Sequence, residues 1–256
     1  MTFLSTILES KRVAIENLPA LEELEQRAAE YERSDVRIPV WGENLDVIAE
    51  IKRRSPSKGE LATIEDAASL ARIYDKAGAV IISVLTDHDY FGARPDDFDL
   101  VRNAVSIPVL RKDFIIDIRQ VFETYLMGAD VMLLIVAAFE DQGVLRALHD
   151  CAKSLGMSVL VETHSLAELE VAHKIDAQIV GVNVRDLATF DENPDLGDEV
   201  LSHMDSEIIS VWESSIVSVN DALRARAAGA DAVLVGQALV QHADPADFIS
   251  QIRNIS

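Results

Sequence analysis

The sequence predicts an α/β fold, a (β/α)8 barrel, and three observations carry that expectation. Eight short apolar runs recur along the 256 residues at intervals of roughly 21 to 33 residues, which suits one strand-plus-helix unit each in a chain of this length. The runs are rich in β-branched residues and apolar on consecutive positions, as strands covered on both faces are. The stretches between them carry helical periodicity and close on Gly-Ala, a C-terminal stop before the next strand. A doubly wound open sheet is the competing topology, because it alternates strands and helices in the same way.

In chain order, residues 1–40 stand outside the repeat. The segment "FLSTILESKRVAIENLPALEELEQRAAEYER" has helical spacing interrupted near Pro19, which predicts one or two extra helices outside the barrel or across one end. Strands are expected at Val47–Ile51, Val80–Leu85, Pro108–Lys112, Val131–Val136, Ser158–Glu162, Ile179–Asn183, Ile208–Trp212 and Ala232–Gly236. Between them, "IEDAASLARIYDKAGA", "IRQVFETYLMGA" and "VNDALRARAAGA" read as amphipathic helices ending at Gly78, Gly128 and Gly229. No linker or low-complexity segment divides the repeat, so residues 1–256 are expected to form one barrel domain.

Composition narrows the function. Hydrophobic residues make up 49% and charged ones 26%, which suits a soluble enzyme with a full core. Net charge is −21, from 23 Lys+Arg against 44 Asp+Glu, and so acidic a chain repels nucleic acid and anionic membrane. The longest apolar run, Val131 to Phe139, is too short to span a bilayer. The first residues lack a basic, then apolar, secretory pattern. Cys151 is the single cysteine, which fits a cytoplasmic location and reads as a buried helix residue. No residues have metal-ligand spacing; His88, His164 and His173 are isolated and read as ordinary loop or helix residues.

The charged residues at the strand ends are the strongest functional signal. Side chains alternate along a strand, so Glu50 and Lys52 share a side with Ile48 in "VIAEIKRRSPSKG". Lys112 follows Leu110 in the same way in "PVLRKDF", Glu162 ends "LVETH", and Asn183 and Arg185 share a face in "GVNVRDL". Four strand ends thus send Glu50, Lys52, Lys112, Glu162, Asn183 and Arg185 towards one mouth, the C-terminal face where barrel active sites lie. The segments "VWESSIVS" and "AVLVGQAL" run from the last two strands into helices. Loops seven and eight commonly hold phosphate on backbone N–H groups, so Ser214, Ser215, Gly236 and Gln237 are its expected ligands.

These motifs, with "SVLTD", "GADVMLLIVAA" and the "ES-I" and "LVG" segments, resemble the indole-3-glycerol phosphate synthase family in order from about Leu4 to Phe248. The resemblance implies closure of a ring on 1-(2-carboxyphenylamino)-1-deoxyribulose 5-phosphate with loss of CO2 and water, without cofactor or metal. It implies that Lys112 is the general acid at the ketone oxygen and Glu162 the general base for the final dehydration. Lys52 would lie near the substrate carboxylate and share acid work, Glu50 would position the lysines and shuttle protons, and Asn183 and Arg185 would orient the anthranilate portion. Ser55 and Pro56 begin a loop expected to move over the substrate. Pro56, Phe91, Phe114, Leu133, Ile135 and Leu187 would form the apolar floor. The implied partner is a small sugar phosphate, with the chain a monomer or weak homo-oligomer that could act beside other tryptophan-pathway enzymes.

The family's Glu-Ser-Gly-Ile is here Glu213-Ser214-Ser215-Ile216, and Trp212 before it is unusually bulky. Ser215 is expected at negative φ with its N–H aimed at the anion, since a serine Cβ disfavours the left-handed region. Two alternatives stay open. A phosphoribosylanthranilate isomerase-like barrel would need a thiol and carboxylate, or two aspartates, for acid–base work. A non-catalytic paralogue is the other.

Overall fold

The computed structural model describes residues 2–33, 36–186 and 189–256. Eight parallel strands close a barrel: β1 (Asp46–Ile51), β2 (Ile81–Leu85), β3 (Val109–Lys112), β4 (Val131–Ile135), β5 (Ser158–Thr163), β6 (Ile179–Asn183), β7 (Ile209–Glu213) and β8 (Ala232–Val235). Neighbours in sequence pair in space, and β1 joins both β2 and β8 to complete the ring. The open-sheet alternative is thereby excluded. All eight expected strands form, with ends shifted by one residue or less; the shift at β7 brings Glu213 into the strand.

Alternation sorts the strand residues into two apolar clusters. Ile48, Ile81, Leu110, Leu133, Leu160, Val211 and Leu234 fill the barrel interior. Val47, Ile82, Val109, Leu134, Val161, Val180 and Val233 face the surrounding helices. The sequence had to be apolar on both faces because both are covered. The helices stop where expected, with Gly78, Gly128 and Gly229 in the left-handed region. That conformation costs a glycine little and lets the chain reverse into the next strand.

Residues 3–30 form helices α1 (Phe3–Ile15) and α2 (Leu21–Glu30), separated at Pro19. They take different positions. Helix α2 packs against helix Ile118–Leu126 on the flank. Helix α1 lies across the C-terminal mouth, where Ile7 and Leu8 join the interior cluster. Lys11 anchors it, 2.8 Å from Asp87 and 2.6 Å from Asp113, both on loops of that mouth. Within the β1 loop, Arg54–Ser55 and Gly59–Glu60 pair as a small antiparallel hairpin beside the same opening.

Candidate active site

At the mouth the inward positions change from apolar to charged. On β1, Ile48 is followed on the same side by Glu50 and then Lys52, whose Nζ lies 2.6 Å from Glu50 Oε1. Glu50 Oε1 has no aligned hydrogen bond, so the contact is an ion pair rather than a directed bond. On β3, Lys112 follows Leu110 and donates from Nζ to Glu162 Oε2 at 3.0 Å. Its Nζ is also 3.4 Å from Glu213 Oε2. On β6, Asn183 Nδ2 donates to Glu162 Oε1 at 3.0 Å, and Asn183 Oδ1 accepts from Ser214 Oγ at 2.8 Å.

Two glycines make room for this packing. A Cβ on Gly181 of β6 would collide with Glu213 Oε1, and one on Gly236 would collide with Glu50 Oε1. Both are inward positions where the absent side chain is replaced by a neighbour's carboxylate. Gly236 therefore serves the approach of Glu50, a role beyond the phosphate contact expected of it.

Glu50, Glu162 and Glu213 are each at most 2% exposed, so their charges interact with little screening. Burial opposes ionisation of Glu162, but Lys112, His164 and Asn183 outweigh it and hold this carboxyl well below the usual range. Burial and then repulsion from Glu162 push Glu213 up to about 8 despite Lys112. Burial disfavours the Lys112 ammonium too, yet Glu162, Glu213 and Glu50 together raise its pKa. The opposing influences on Lys112 thus resolve in favour of the charged form. The result is one carboxylate, one carboxyl that titrates near neutrality, and a protonated lysine between them.

The structure brings Glu50, Lys52, Ser55, Pro56, Phe91, Lys112, Phe114, Leu133, Ile135, Glu162, Asn183, Arg185, Ser214, Ser215, Gly236 and Gln237 to one cleft. Leu187, the remaining expected member, lies outside the described residues. The Arg185 side chain is engaged within its own loop. Its Nη1 donates to the Phe190 carbonyl at 3.3 Å, and the guanidinium pairs with Glu192.

Two expectations need correction. Ser215 has φ +60°, and Ser214 before it +73°. The expected negative φ fails because this loop turns through two successive left-handed residues. The Trp212 indole Nε1 donates to the Ser214 carbonyl at 3.1 Å and helps hold that turn. Trp212 itself does not crowd the cleft. Being even-numbered on β7 it faces outward, over Gly197 of helix Pro194–Leu201, where any Cβ would strike its ring. His164 is not an isolated loop residue: Nε2 lies 3.3 Å from Glu162 Oε1, and Nδ1 lies 3.3 Å from Glu168 Oε2.

Sequence reasoning also missed Glu213 as a site residue. Its signal is the alternation from Val211 to Glu213, which an expected strand end at Trp212 leaves out. Cys151 sits half-buried on the outer helix Gln142–Ser154, with burial pushing its thiol pKa up. It is absent from the cleft, so it supplies no thiol for the isomerase-like alternative. No group of three or more His, Cys, Asp or Glu among the described residues is arranged to hold a metal ion.

Fold and cleft define the class: a (β/α)8 barrel enzyme with lysines and carboxylates converging at its mouth. Comparison with known proteins names the family. The family model described as indole-3-glycerol phosphate synthase matches residues 4–252. The Mycobacterium avium (strain 104) indole-3-glycerol phosphate synthase is 44% identical over 255 residues, covering 98% of this chain and 93% of that one. The Leifsonia xyli subsp. xyli (strain CTCB07) protein of the same name is 49% identical over 213 residues, 83% of this chain and 81% of its own. The chain belongs to the indole-3-glycerol phosphate synthase family of decarboxylating lyases.

Solved structures agree on the fold alone. A thiamine phosphate pyrophosphorylase from Pyrococcus furiosus superposes with a TM-score of 0.60 at 16% identity, covering 82% of this chain and 94% of that one. The N-acetylmannosamine-6-phosphate 2-epimerase from Clostridium perfringens gives 0.59 at 14% identity, covering 75% and 86%. Among the described residues, no helix is long and apolar enough to cross a membrane.

Proposed function

We propose that this chain converts 1-(2-carboxyphenylamino)-1-deoxyribulose 5-phosphate to indole-3-glycerol phosphate, with loss of CO2 and water. The observation that carries the reading is Lys112 held between Glu162 and Glu213 at 3.0 and 3.4 Å, inside an apolar-floored mouth. Ring closure needs an acid at the ketone oxygen while the aromatic carbon bearing the carboxylate attacks the carbonyl carbon. Lys112 is that acid. Its raised pKa is no obstacle, because the oxygen it protonates is becoming an alkoxide and is the stronger base. Loss of CO2 then restores the aromatic ring.

Dehydration requires removal of a proton from one carbon and departure of hydroxide from its neighbour. Two carboxyls with pKa values driven apart suit those tasks. Glu162, ionised, takes the proton; Glu213, titrating near neutrality, can supply one to the leaving hydroxyl. Lys52 lies near the substrate carboxylate and shares acid work, while Glu50 holds it in place. Asn183 orients the anthranilate portion together with Arg185, which must exchange Glu192 for the substrate. Pro56, Phe91, Phe114, Leu133 and Ile135 receive the aromatic ring.

The phosphate binds between Ser214-Ser215 and Gly236-Gln237. Backbone N–H groups do most of this work, since the Ser214 hydroxyl is committed to Asn183. Ser215 Oγ is buried and unpartnered, so it is free to donate to the anion. A small sugar phosphate suits a chain of net charge −21 with Lys52, Lys112 and Arg185 at its mouth, and a cytoplasmic place of action suits its single cysteine.

Incubating the protein with the carboxyphenylamino-deoxyribulose phosphate and following indole fluorescence tests the reading. Growth of that fluorescence supports it. A folded protein that leaves this substrate untouched would sink it and favour a non-catalytic role.

A further inference from the structure

His164 does not reach the cleft, yet it touches the group proposed as its base. It follows β5 by one residue and is not among the residues lining the cleft. Nε2 is 3.3 Å from Glu162 Oε1 and Nδ1 is 3.3 Å from Glu168 Oε2. Nε2 is buried without an aligned hydrogen bond, so its contact with Glu162 is an ion pair rather than a directed bond. Glu168 is delivered by the start of helix Leu166–Lys174. Its backbone N–H donates to Ser165 Oγ at 3.2 Å, and its carboxylate accepts from the His164 N–H at 2.9 Å. The helix cap and the histidine are therefore built as one unit.

An ionised carboxylate only accepts hydrogen bonds, and a neutral imidazole has one donor. With a carboxylate at each nitrogen, the ring satisfies both only as the imidazolium. Among the described residues, the charged groups that contact it are Glu162 from β5 and Glu168 from the following helix. Lys112 of β3 and Glu213 of β7 lie on the far side of Glu162.

We propose that His164 is a positioning residue for the ring-closing reaction, an imidazolium clamped by Glu168 that orients Glu162 and keeps it ionised. The need arises within the reaction itself. Once Lys112 has given up its proton it no longer offers Glu162 a positive charge, and Glu213 is close by. A second cation that does not take part in the chemistry keeps Glu162 a carboxylate through that interval. Burial disfavours the charged ring, but contact with Glu162 and then Glu168 overcomes it and raises the histidine to about 10.

The inference rests on Glu162 being the base, and the experiment separates the two ideas. NMR of histidine-labelled full-length protein, with the His164 signal assigned by its loss in H164Q, should show an imidazolium through pH 8. A His164 signal that titrates near its ordinary value of about 6.5 would overturn the proposal even if the variants fold poorly. In turnover, H164Q should move the acid limb of the kcat profile upward by about one pH unit, because an opposite charge near a carboxylate lowers its pKa by roughly that much or more. KM should stay near its original value, and E168Q should give a smaller shift in the same direction. A loss of activity with an unmoved acid limb would reduce His164 to a packing residue. E162Q tests the underlying reading by itself: retained turnover there removes Glu162 as the base, whatever the His164 signal does.

Discussion

The two ends of the barrel both bury charge, and they balance it in opposite ways. At the N-terminal end, Asp130 sits fully buried among Arg33, Arg37 and Arg102. It accepts from Arg33 Nη2 at 2.8 Å and from the backbone N–H groups of Arg37 and Val109 at 3.0 Å each. Arg37 and Arg102 spend further donors on the carbonyls of Val105, Ile107 and Gly128. One carboxylate is thus shared by several cations, and the ensemble ties Arg33 and Arg37 to the barrel. At the mouth, Glu50, Glu162 and Glu213 share Lys52 and Lys112. Donors are in surplus at one end and carboxyls at the other. The first arrangement fixes structure, while the second leaves protons able to move at working pH.

Substitutions of similar size at the two ends should therefore fail differently. Lys112→Ala should lower kcat by about 10²–10⁴-fold with KM little changed, the loss expected for a general acid acting in the transition state. Arg33→Met, in contrast, should cost about 3 kcal/mol of stability, because it strips a partner from a buried ion pair. Its kcat and KM, measured well below its melting temperature, should match the parent. A fall in kcat for R33M without a fall in Tm would break the distinction between the ends.

The next effect sharpens the account of the mouth. A carboxyl whose folded pKa is raised adds stability that is present below its unfolded value and lost as pH rises through the folded one. For Glu213 that window runs from about 4.5 to about 8. Glu213→Gln removes the penalty of ionising a buried group, so its Tm should gain on the parent as pH is raised from 5 to 9. If Glu213 supplies a proton, the same variant should also lose the basic limb of kcat near pH 8. A Tm difference that stays flat over this range would show that Glu213 ionises normally.

How far these features could be read in advance depended on whether the signal was local. Glu50, Lys52, Lys112, Glu162 and Asn183 announced themselves because period-2 alternation carries their direction directly. Glu213 obeys the same rule but lies one residue past the expected end of β7 at Trp212. His164 carried no such sign. Its partners stand two residues before and four after, and they meet around the ring only when the β5 turn and the helix cap have formed. The left-handed Ser214-Ser215 pair was illegible for a different reason. Residue preference argues against it, and the indole N–H of Trp212, reaching the Ser214 carbonyl from outside the barrel, helps to offset that preference.

That loop provides the smallest predicted effects. Gly197→Ala should destabilise by about 1–3 kcal/mol through overpacking against Trp212, visible as a lower Tm and, through the Ser214 carbonyl, as a higher KM. Ser215→Gly relieves a non-glycine residue at φ +60°, which should raise stability by about 1 kcal/mol. Its KM should shift by less than about tenfold, or 1.4 kcal/mol, and kcat should hardly change. If S215G alone switches on an otherwise inert protein, the chain is a repurposed member of its family.

The proposed chemistry needs the carboxyls at the mouth split around Lys112, with one kept as base and the other as acid. Carbon-13 NMR of the side-chain carboxyls, with Glu162 and Glu213 assigned through their glutamine variants, measures this in the resting protein. Glu162 should stay ionised below its ordinary range while Glu213 titrates near 8. Two carboxyls titrating together between about 4 and 5, as unperturbed glutamates do, would contradict it.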